Sequence, residues 1–98
     1  MNEVKLFKEI TEDMLKLYEA KNTDYGSSVS DTYRDFGLVS FLVRIQDKLN
    51  RLKTLSKRDA LVVDEKIEDT LIDMANYSIL ALIELKKDEV RRNGQRKD

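Results

Sequence analysis

Proline is absent from all 98 residues of the chain, and glycine occurs only three times. Proline interrupts the hydrogen bonds of a helix and glycine weakens its interior, so a chain almost free of both can form long unbroken helices. Charged residues make up 38% of the sequence and are spread along it, which is typical of helices with a solvated face. We therefore predict an all-α fold, a three-helix antiparallel bundle with a long third helix.

Apolar residues recur at three- and four-residue steps in three segments, which sets the bounds of the predicted helices. The first covers residues 2–22, and the second runs from Leu38 to about Lys57. The third begins at Asp64, a residue suited to cap a helix N-terminus, and ends near Arg92. Residues 31–37 are predicted to form an isolated turn. We expect residues 1–92 to be one helical domain and the charged tail 93–98 to fray.

The third predicted helix is apolar on two sides. One stripe contains Ile67, Leu71, Met74, Ala81, Leu82 and Leu85, whereas Ile72, Ile79, Leu80 and Ile83 lie largely outside it. A helix with two apolar sides needs two packing partners. One side can pack on helices of the same chain, so we predict that the other packs on a second copy. The expected assembly is a homodimer or higher oligomer that associates through helix faces.

The composition excludes several classes of function. The sequence has no cysteine and no histidine, so it lacks disulfides and the usual ligands of zinc. The sequence contains eighteen basic and nineteen acidic residues, and this balance gives no reason to expect bulk nucleic-acid binding. The N-terminus interleaves charged with apolar residues, and no apolar run reaches membrane length. We expect a cytoplasmic protein without membrane partners.

A short, very polar stretch at residues 21–28 is the first candidate binding element. Exposed backbone N–H groups, hydroxyls and a lysine are groups that hold phosphate, and a tyrosine ring can stack on a base. The ordinary alternative is a turn between two helices, because Asn, Asp, Gly and Ser are the common turn residues. The candidate ligand-binding residues here are Lys21, Asn22, Asp24, Tyr25, Gly26 and Ser27.

Two charged rows on the second and third predicted helices form the other candidate element. Glu65, Asp69 and Asp73 are spaced four apart, with Asn76 three further on, so they stack on one helix face. Stacked carboxylates repel and require an opposing charge. That charge is either a divalent cation such as Mg²⁺ or the basic row of the second helix. The binding candidates on that helix are Arg44, Asp47, Lys48 and Arg51. The structural alternative is a salt-bridge network between the two helices.

The three motifs occur in an order that resembles a known family. They are Lys21-Asn-x-Asp-Tyr-Gly-x-Ser, then Arg44-x-x-Asp-Lys-x-x-Arg-Leu, then Asp64-Glu-x-Ile-x-Asp-Thr-Leu-x-Asp-x-x-Asn-Tyr. This order resembles the nucleotide modification associated domain 1 family of phage and prophage proteins. The resemblance covers residues 21 to about 82 and implies a helical domain with a role that touches nucleotides.

That family is distantly similar to the MazG-like nucleotide pyrophosphohydrolases, helical enzymes that bind Mg²⁺ around a nucleoside triphosphate. Their acidic residues form Glu-Glu-x-x-Glu on one helix and Glu-x-x-Asp on the next. Here the first of these positions offers Arg44-x-x-Asp47-Lys48, and Thr70 stands three residues before Asp73. Fewer acids and added cations favour phosphate binding over hydrolysis.

Three functional hypotheses follow from these patterns. The leading one is a small nucleotide-binding protein of phage type, which acts in nucleotide modification or sequesters a cyclic or signalling nucleotide of host defence. The alternative is a Mg²⁺-dependent nucleoside triphosphate pyrophosphohydrolase, in which Glu65, Asp69 and Asp73 hold the metal and Asp47 or Glu68 helps to position water. The third is a helical interaction module whose charges serve solubility. The patterns leave open whether a site lies within one subunit or between subunits.

Overall fold

The computed structural model describes the backbone of residues 1–25, 28–57 and 60–95, and their side chains except those of 23–25, 60–65 and 95. Within these ranges the chain forms four helices: α1 (Glu3–Tyr25), α2 (Ser28–Phe36), α3 (Val39–Leu55) and α4 (Ala60–Gln95). No strand occurs in these ranges. The all-α prediction is confirmed, and the long last helix is present. The count of three helices is wrong.

The missed helix is α2, which occupies most of the segment predicted to be an isolated turn. Its end is set by Gly37, whose φ of 71° is readily adopted only by glycine. The N–H of Gly37 donates to the carbonyl of Tyr33 at 2.6 Å, which closes the last turn. The nine residues of α2, which precede a helix-terminating glycine, leave little periodicity for a sequence pattern to detect.

Two other boundaries differ from the prediction. Helix α1 continues to Tyr25, so the first part of the expected polar loop is helical. Helix α4 begins at Ala60, which places Asp64 inside the helix and not at its N-cap. The start of α1 is capped by Asn2, whose side-chain oxygen accepts a hydrogen bond from the N–H of Lys5 at 3.1 Å. Helix α3 agrees closely with its predicted bounds.

The core lies where α2, α3 and α4 meet. Phe41 of α3 is 1% exposed and packs with Leu80 and Ala81 of α4. The ring of Tyr33 from α2 lies against Phe41, with centroids 5.9 Å apart. Helices α3 and α4 share the most extensive interface between helices in the described ranges. This pairing fixes the relative register of the two charged rows.

Helix α1 is attached differently. It runs parallel to α4, since recesses between the two helices bring Ile10 beside Ile72 and Tyr18 beside Ile83. Tyr18 reaches the core, but Phe7 is 72% exposed. The chain measures 59 × 32 × 24 Å. No helix in the described part of the chain has the length and apolar character needed to cross a membrane.

Candidate functional site

The antiparallel pairing of α3 and α4 brings part of the two predicted rows together. The ammonium of Lys48 lies 3.2 Å from a carboxylate oxygen of Asp73. One turn away, the guanidinium of Arg44 sits 5.6 Å from the centre of the Tyr77 ring, a distance at which a cation is attracted to the ring face. Residues four apart on each helix therefore form two successive cross-helix contacts. We call this cluster of Arg44, Lys48, Asp73 and Tyr77 the α3/α4 seam.

Three further predicted residues flank the seam. Asp47, Arg51 and Asp69 are exposed, and none of them forms an ion pair within the described residues. Arg51 lies one turn beyond Lys48 on α3, while Asp69 lies one turn before Asp73 on α4. Because α3 and α4 are antiparallel, both positions fall towards the same end of the seam. The seam thus continues into a region of mixed, unpaired charge that is open to solvent.

The predicted metal row is only partly described. Asp69 and Asp73 occupy one face of α4, and the side chain of Glu65 lies outside the described residues. Among the described side chains, no group of three carboxylates, histidines or cysteines is placed to hold a metal ion. Asp73 instead pairs with Lys48. Asp73 therefore forms an ion pair between the two helices, as the structural alternative drawn from the sequence predicts.

The polar stretch at residues 21–28 is also shorter than predicted. Lys21 and Asn22 are exposed in the last turns of α1. The backbone of Asp24 and Tyr25 is helical, but their side chains lie outside the described residues, as do Gly26 and Ser27 entirely. The loop is therefore not an independent polar element that begins at residue 21, since its first five residues belong to α1.

Asn76 does not join the seam. It lines a recess of about 210 Å³ between α1 and α4, together with Met14, Tyr18 and Ile83. The surroundings are almost entirely apolar, and the amide of Asn76 and the hydroxyl of Thr11 are among the few polar groups in this recess. Its position three residues beyond Asp73 turns it away from α3 and towards α1, because three residues rotate by less than a full helical turn.

Sequence reasoning missed a second polar cluster, which joins α2 to α4. Ser30 donates a hydrogen bond to Glu84 at 2.5 Å, and the hydroxyl of Tyr33 donates to Asp88 at 2.6 Å. Lys87 contacts both Ser30 and Glu84. We call these five residues the α2/α4 cluster. The members lie three or four residues apart within each segment. This spacing indicates a shared helix face only once α2 is known to be a helix.

The environment of Tyr33 changes its acidity. The hydrogen bond to Asp88 raises the pKa of Tyr33 above its usual value of 10.0, and burial and the negative charges of Asp88 and Glu84 add to the rise. Each of these effects disfavours the phenolate. Tyr33 therefore stays protonated and keeps its bond to α4 at neutral pH.

Comparison with known proteins gives one positive result. No curated protein and no solved structure matches the chain. The sequence profile of the nucleotide modification associated domain 1 family matches residues 21–85, about two thirds of the chain. The match includes the end of α1, all of α2 and α3, and the part of α4 that carries the seam. The chain therefore belongs to the nucleotide modification associated domain 1 family.

Proposed function

We propose that this protein binds a nucleotide through phosphate contacts at the α3/α4 seam. The observation that carries the proposal is the row of cations along one edge of α3, with Lys48 held 3.2 Å from Asp73. The seam lies within the residues that match a family described by its association with nucleotide modification. A phosphate needs several donors that carry positive charge, and Arg44, Lys48 and Arg51 provide them on successive turns.

The ion pair at the seam supports a binding role. In the free protein Asp73 partly neutralises Lys48, and both side chains remain accessible, at 29% and 50% exposure for Lys48 and Asp73. An exposed ion pair of this kind contributes only about 0–1 kcal/mol to stability. A phosphate can therefore draw Lys48 away from Asp73 at little cost to the fold. Arg51, which has no ion pair in the described residues, adds a second free cation.

Magnesium fits this site as a companion of the nucleotide. Asp69 and Asp73 are exposed or half-buried carboxylates one turn apart, and Mg²⁺ is commonly held by one or two carboxylates together with phosphate oxygens. Once phosphate holds Lys48, Asp73 becomes available as a metal ligand. When bound, the ion would neutralise phosphate charge. Release of pyrophosphate from a nucleoside triphosphate in its presence would instead favour the pyrophosphohydrolase alternative, in which Asp47 or Glu68 helps to position water.

Binding without turnover suits two roles. The protein either presents a nucleotide to a modification pathway, or sequesters a cyclic or signalling nucleotide of host defence in a phage-infected cell. The first role follows the family description. The second is suggested by the small size of the protein and by the cations on successive turns of α3. Both roles predict that bound nucleotide is recovered unchanged after long incubation.

Isothermal titration with a panel of mono-, tri- and cyclic nucleotides, with and without Mg²⁺, tests the proposal. Lys48→Ala should weaken binding of the best ligand about tenfold or more, because a hydrogen bond to a charged group contributes about 1.5–3 kcal/mol. Lys53→Ala is the matched control, since Lys53 is exposed on α3 and lies about half a turn from Lys48 around the helix. Absence of binding across the whole panel would contradict the proposal. Equal losses of nucleotide affinity in the two variants would also contradict it.

We also propose that the protein is a homo-oligomer in which a second copy covers α1. The accessible surface is 8077 Å², whereas a compact monomer of 11.5 kDa exposes roughly 5,800 Å². The Cα radius of gyration is 16.6 Å, against about 13 Å for a compact chain of this length. The excess surface is about what a stable homodimer buries. Val4, Phe7 and Ile10 are large apolar residues that are exposed along α1. They form the centre of the proposed interface with the second copy.

A further inference from the structure

An open apolar groove runs along α4. Its volume is about 620 Å³, and its floor is formed by Ile79, Leu82, Ile83 and Val90. Leu82 and Val90 are 56% and 70% exposed, so no helix within the described ranges covers the groove. Lysine and arginine side chains of the same helix form its rim. Apolar surface with a polar rim marks a contact with another molecule.

The groove continues into the recess of about 210 Å³ that Asn76 lines between α1 and α4. Ile79 and Ile83 line both spaces. Leu15 of α1, which is 56% exposed, borders the recess on its other side. The two spaces therefore form one apolar surface shared by α1 and α4, and a helix laid along it would contact both helices at once.

The uncovered parts of α1 and α4 lie towards opposite ends of this helix pair. Ile10 lies beside Ile72, and the two helices are parallel, so Phe7 is level with about Asp69. Leu82 lies thirteen residues beyond Asp69 on α4, about 20 Å along the helix axis. Phe7 therefore cannot reach the groove of its own chain.

A second copy turned end for end brings these two parts together. A two-fold axis perpendicular to the helices and near Ala75 exchanges the levels of Asp69 and Leu82, because the exposed Ala75 lies about midway between them. Phe7 of the partner subunit then lies over Leu82, and symmetry repeats the contact in the other copy. A parallel copy would leave Phe7 of the partner subunit about 20 Å from Leu82. The antiparallel arrangement therefore covers both exposed regions.

The amount of exposed surface suits an interface made from both helices. Each chain exposes roughly 2,300 Å² more than a compact monomer of its mass, whereas one partner contributes about 800 Å² to an interface of standard size. We infer that the groove of α4 is the docking site for α1 of a second copy, so that α1 and α4 of two antiparallel copies form a four-helix bundle. This inference rests on the proposed oligomer and names the surface that its α1 contacts.

The bundle leaves the α3/α4 seam open to solvent. Asp73 lies nine residues before Leu82, which places the two side chains about half a turn apart, on opposite sides of α4. The docking of α1 therefore does not depend on nucleotide binding at the seam.

Leu82→Asp tests the docking site. At protein concentrations where the original chain is dimeric, the variant should be a monomer, with half the mass by light scattering coupled to size exclusion. Its circular dichroism spectrum should not change, because Leu82 is exposed within the single chain. Val43→Asp is the matched control, since Val43 is 57% exposed on α3 and does not line the groove, and it should remain a dimer.

The masses separate this inference from the proposal on which it rests. A dimeric Leu82→Asp variant beside a monomeric Phe7→Asp variant would overturn the docking site on α4 and leave the role of α1 standing. A monomeric original chain would overturn both.

Cross-linking tests the orientation, because the chain contains no cysteine. A double variant with Phe7→Cys and Leu82→Cys should give a covalent dimer with a bismaleimide whose linker is roughly one helical turn long, about 5.4 Å. Each single variant should give none, because the two copies of either residue lie about 20 Å apart along the bundle. A covalent dimer in a single variant, or none in the double variant, would overturn the antiparallel docking.

Discussion

The α3–α4 pair and helix α1 use apolar residues in opposite ways. Phe41 of α3 is 1% exposed, whereas Phe7 of α1 is 72% exposed. Both are the largest apolar side chains in stripes of similar spacing. Helix α3 shares its most extensive interface with α4, while α1 approaches the other helices at few points in the described ranges. An amphipathic pattern therefore shows that a helix has an apolar face, but not that its own chain covers that face.

The start of the family match also separates most of α1 from the other helices. It begins at residue 21, close to the end of α1, and includes all of α2 and α3. Most of α1 lies before it. The helices inside the match build the core and the seam, and the helix outside it presents apolar surface. We interpret the first region as the folding unit and the second as the surface for assembly.

The largest expected effect tests the difference between the α3–α4 pair and α1 directly. Phe41→Ala should destabilise the protein by about 3–5 kcal/mol, the usual cost of emptying a buried phenylalanine site. Phe7→Ala should change the unfolding free energy of the monomer by no more than about 0.5 kcal/mol, as for other surface substitutions. Urea unfolding followed by circular dichroism measures both, at a protein concentration low enough to dissociate an oligomer. Similar losses in the two variants would contradict the division into two regions.

A second prediction concerns assembly through α1. Phe7→Asp should convert the proposed oligomer to monomer, because a carboxylate buried at an apolar interface loses its hydration without gaining a partner. Light scattering coupled to size exclusion gives the mass. The control is Lys5→Asp, which places a carboxylate on the opposite side of α1 and should keep the assembly intact. A monomeric mass for the original chain at high concentration would refute the role given to α1.

A third prediction sharpens the role of the seam. Asp73→Asn frees Lys48 from its ion pair, so it should tighten nucleotide binding about three- to tenfold when Mg²⁺ is absent. Removal of a like charge near phosphate favours the anion. Titration calorimetry in the presence of a chelator measures the change, with Asp35→Asn on α2 as the control for net charge. Weaker binding without metal would show that Asp73 contacts the ligand by accepting hydrogen bonds.

The smallest effect concerns the attachment of α2 to α4. The raised pKa of Tyr33 means that the folded state keeps its proton at pH values where the unfolded chain loses it. The stabilisation is complete below pH 10 and declines as the pH rises through the folded pKa. Thermal unfolding at pH 8 and pH 11 should show a smaller pH-dependent fall in Tm for Tyr33→Phe than for the original chain. Equal falls would mean that other groups cause the dependence.

The sequence predicted the helical class and the presence of a long last helix because these depend on local properties. Scarcity of proline and glycine acts on each turn separately, and the apolar spacing of α3 predicted bounds close to those of the observed helix. Helix α2 escaped prediction because its nine residues have no buried member. Its role depends on bonds from Ser30 and Tyr33 to residues more than fifty positions away.

The candidate site was likewise predicted from the sequence only in part. The pairing of Lys48 with Asp73 was among the expected alternatives, since regular four-residue spacing on two helices allows it. Asn76 belonged to the same pattern but faces α1 instead. Glu84 was not anticipated, because a carboxylate between Ile83 and Leu85 gives no sign in the sequence that its side chain is buried.

The amino-acid sequence alone determined that the chain is helical, that its charges lie in rows and that its motifs follow the order of a known family. Only the tertiary structure decided which charges meet, which stripe stays uncovered and which carboxylate is enclosed. The physical reason is that propensity and periodicity act over one or two turns of helix. Burial and ion pairing depend on the register between helices, which the packing of Phe41 against Leu80 and Ala81 sets.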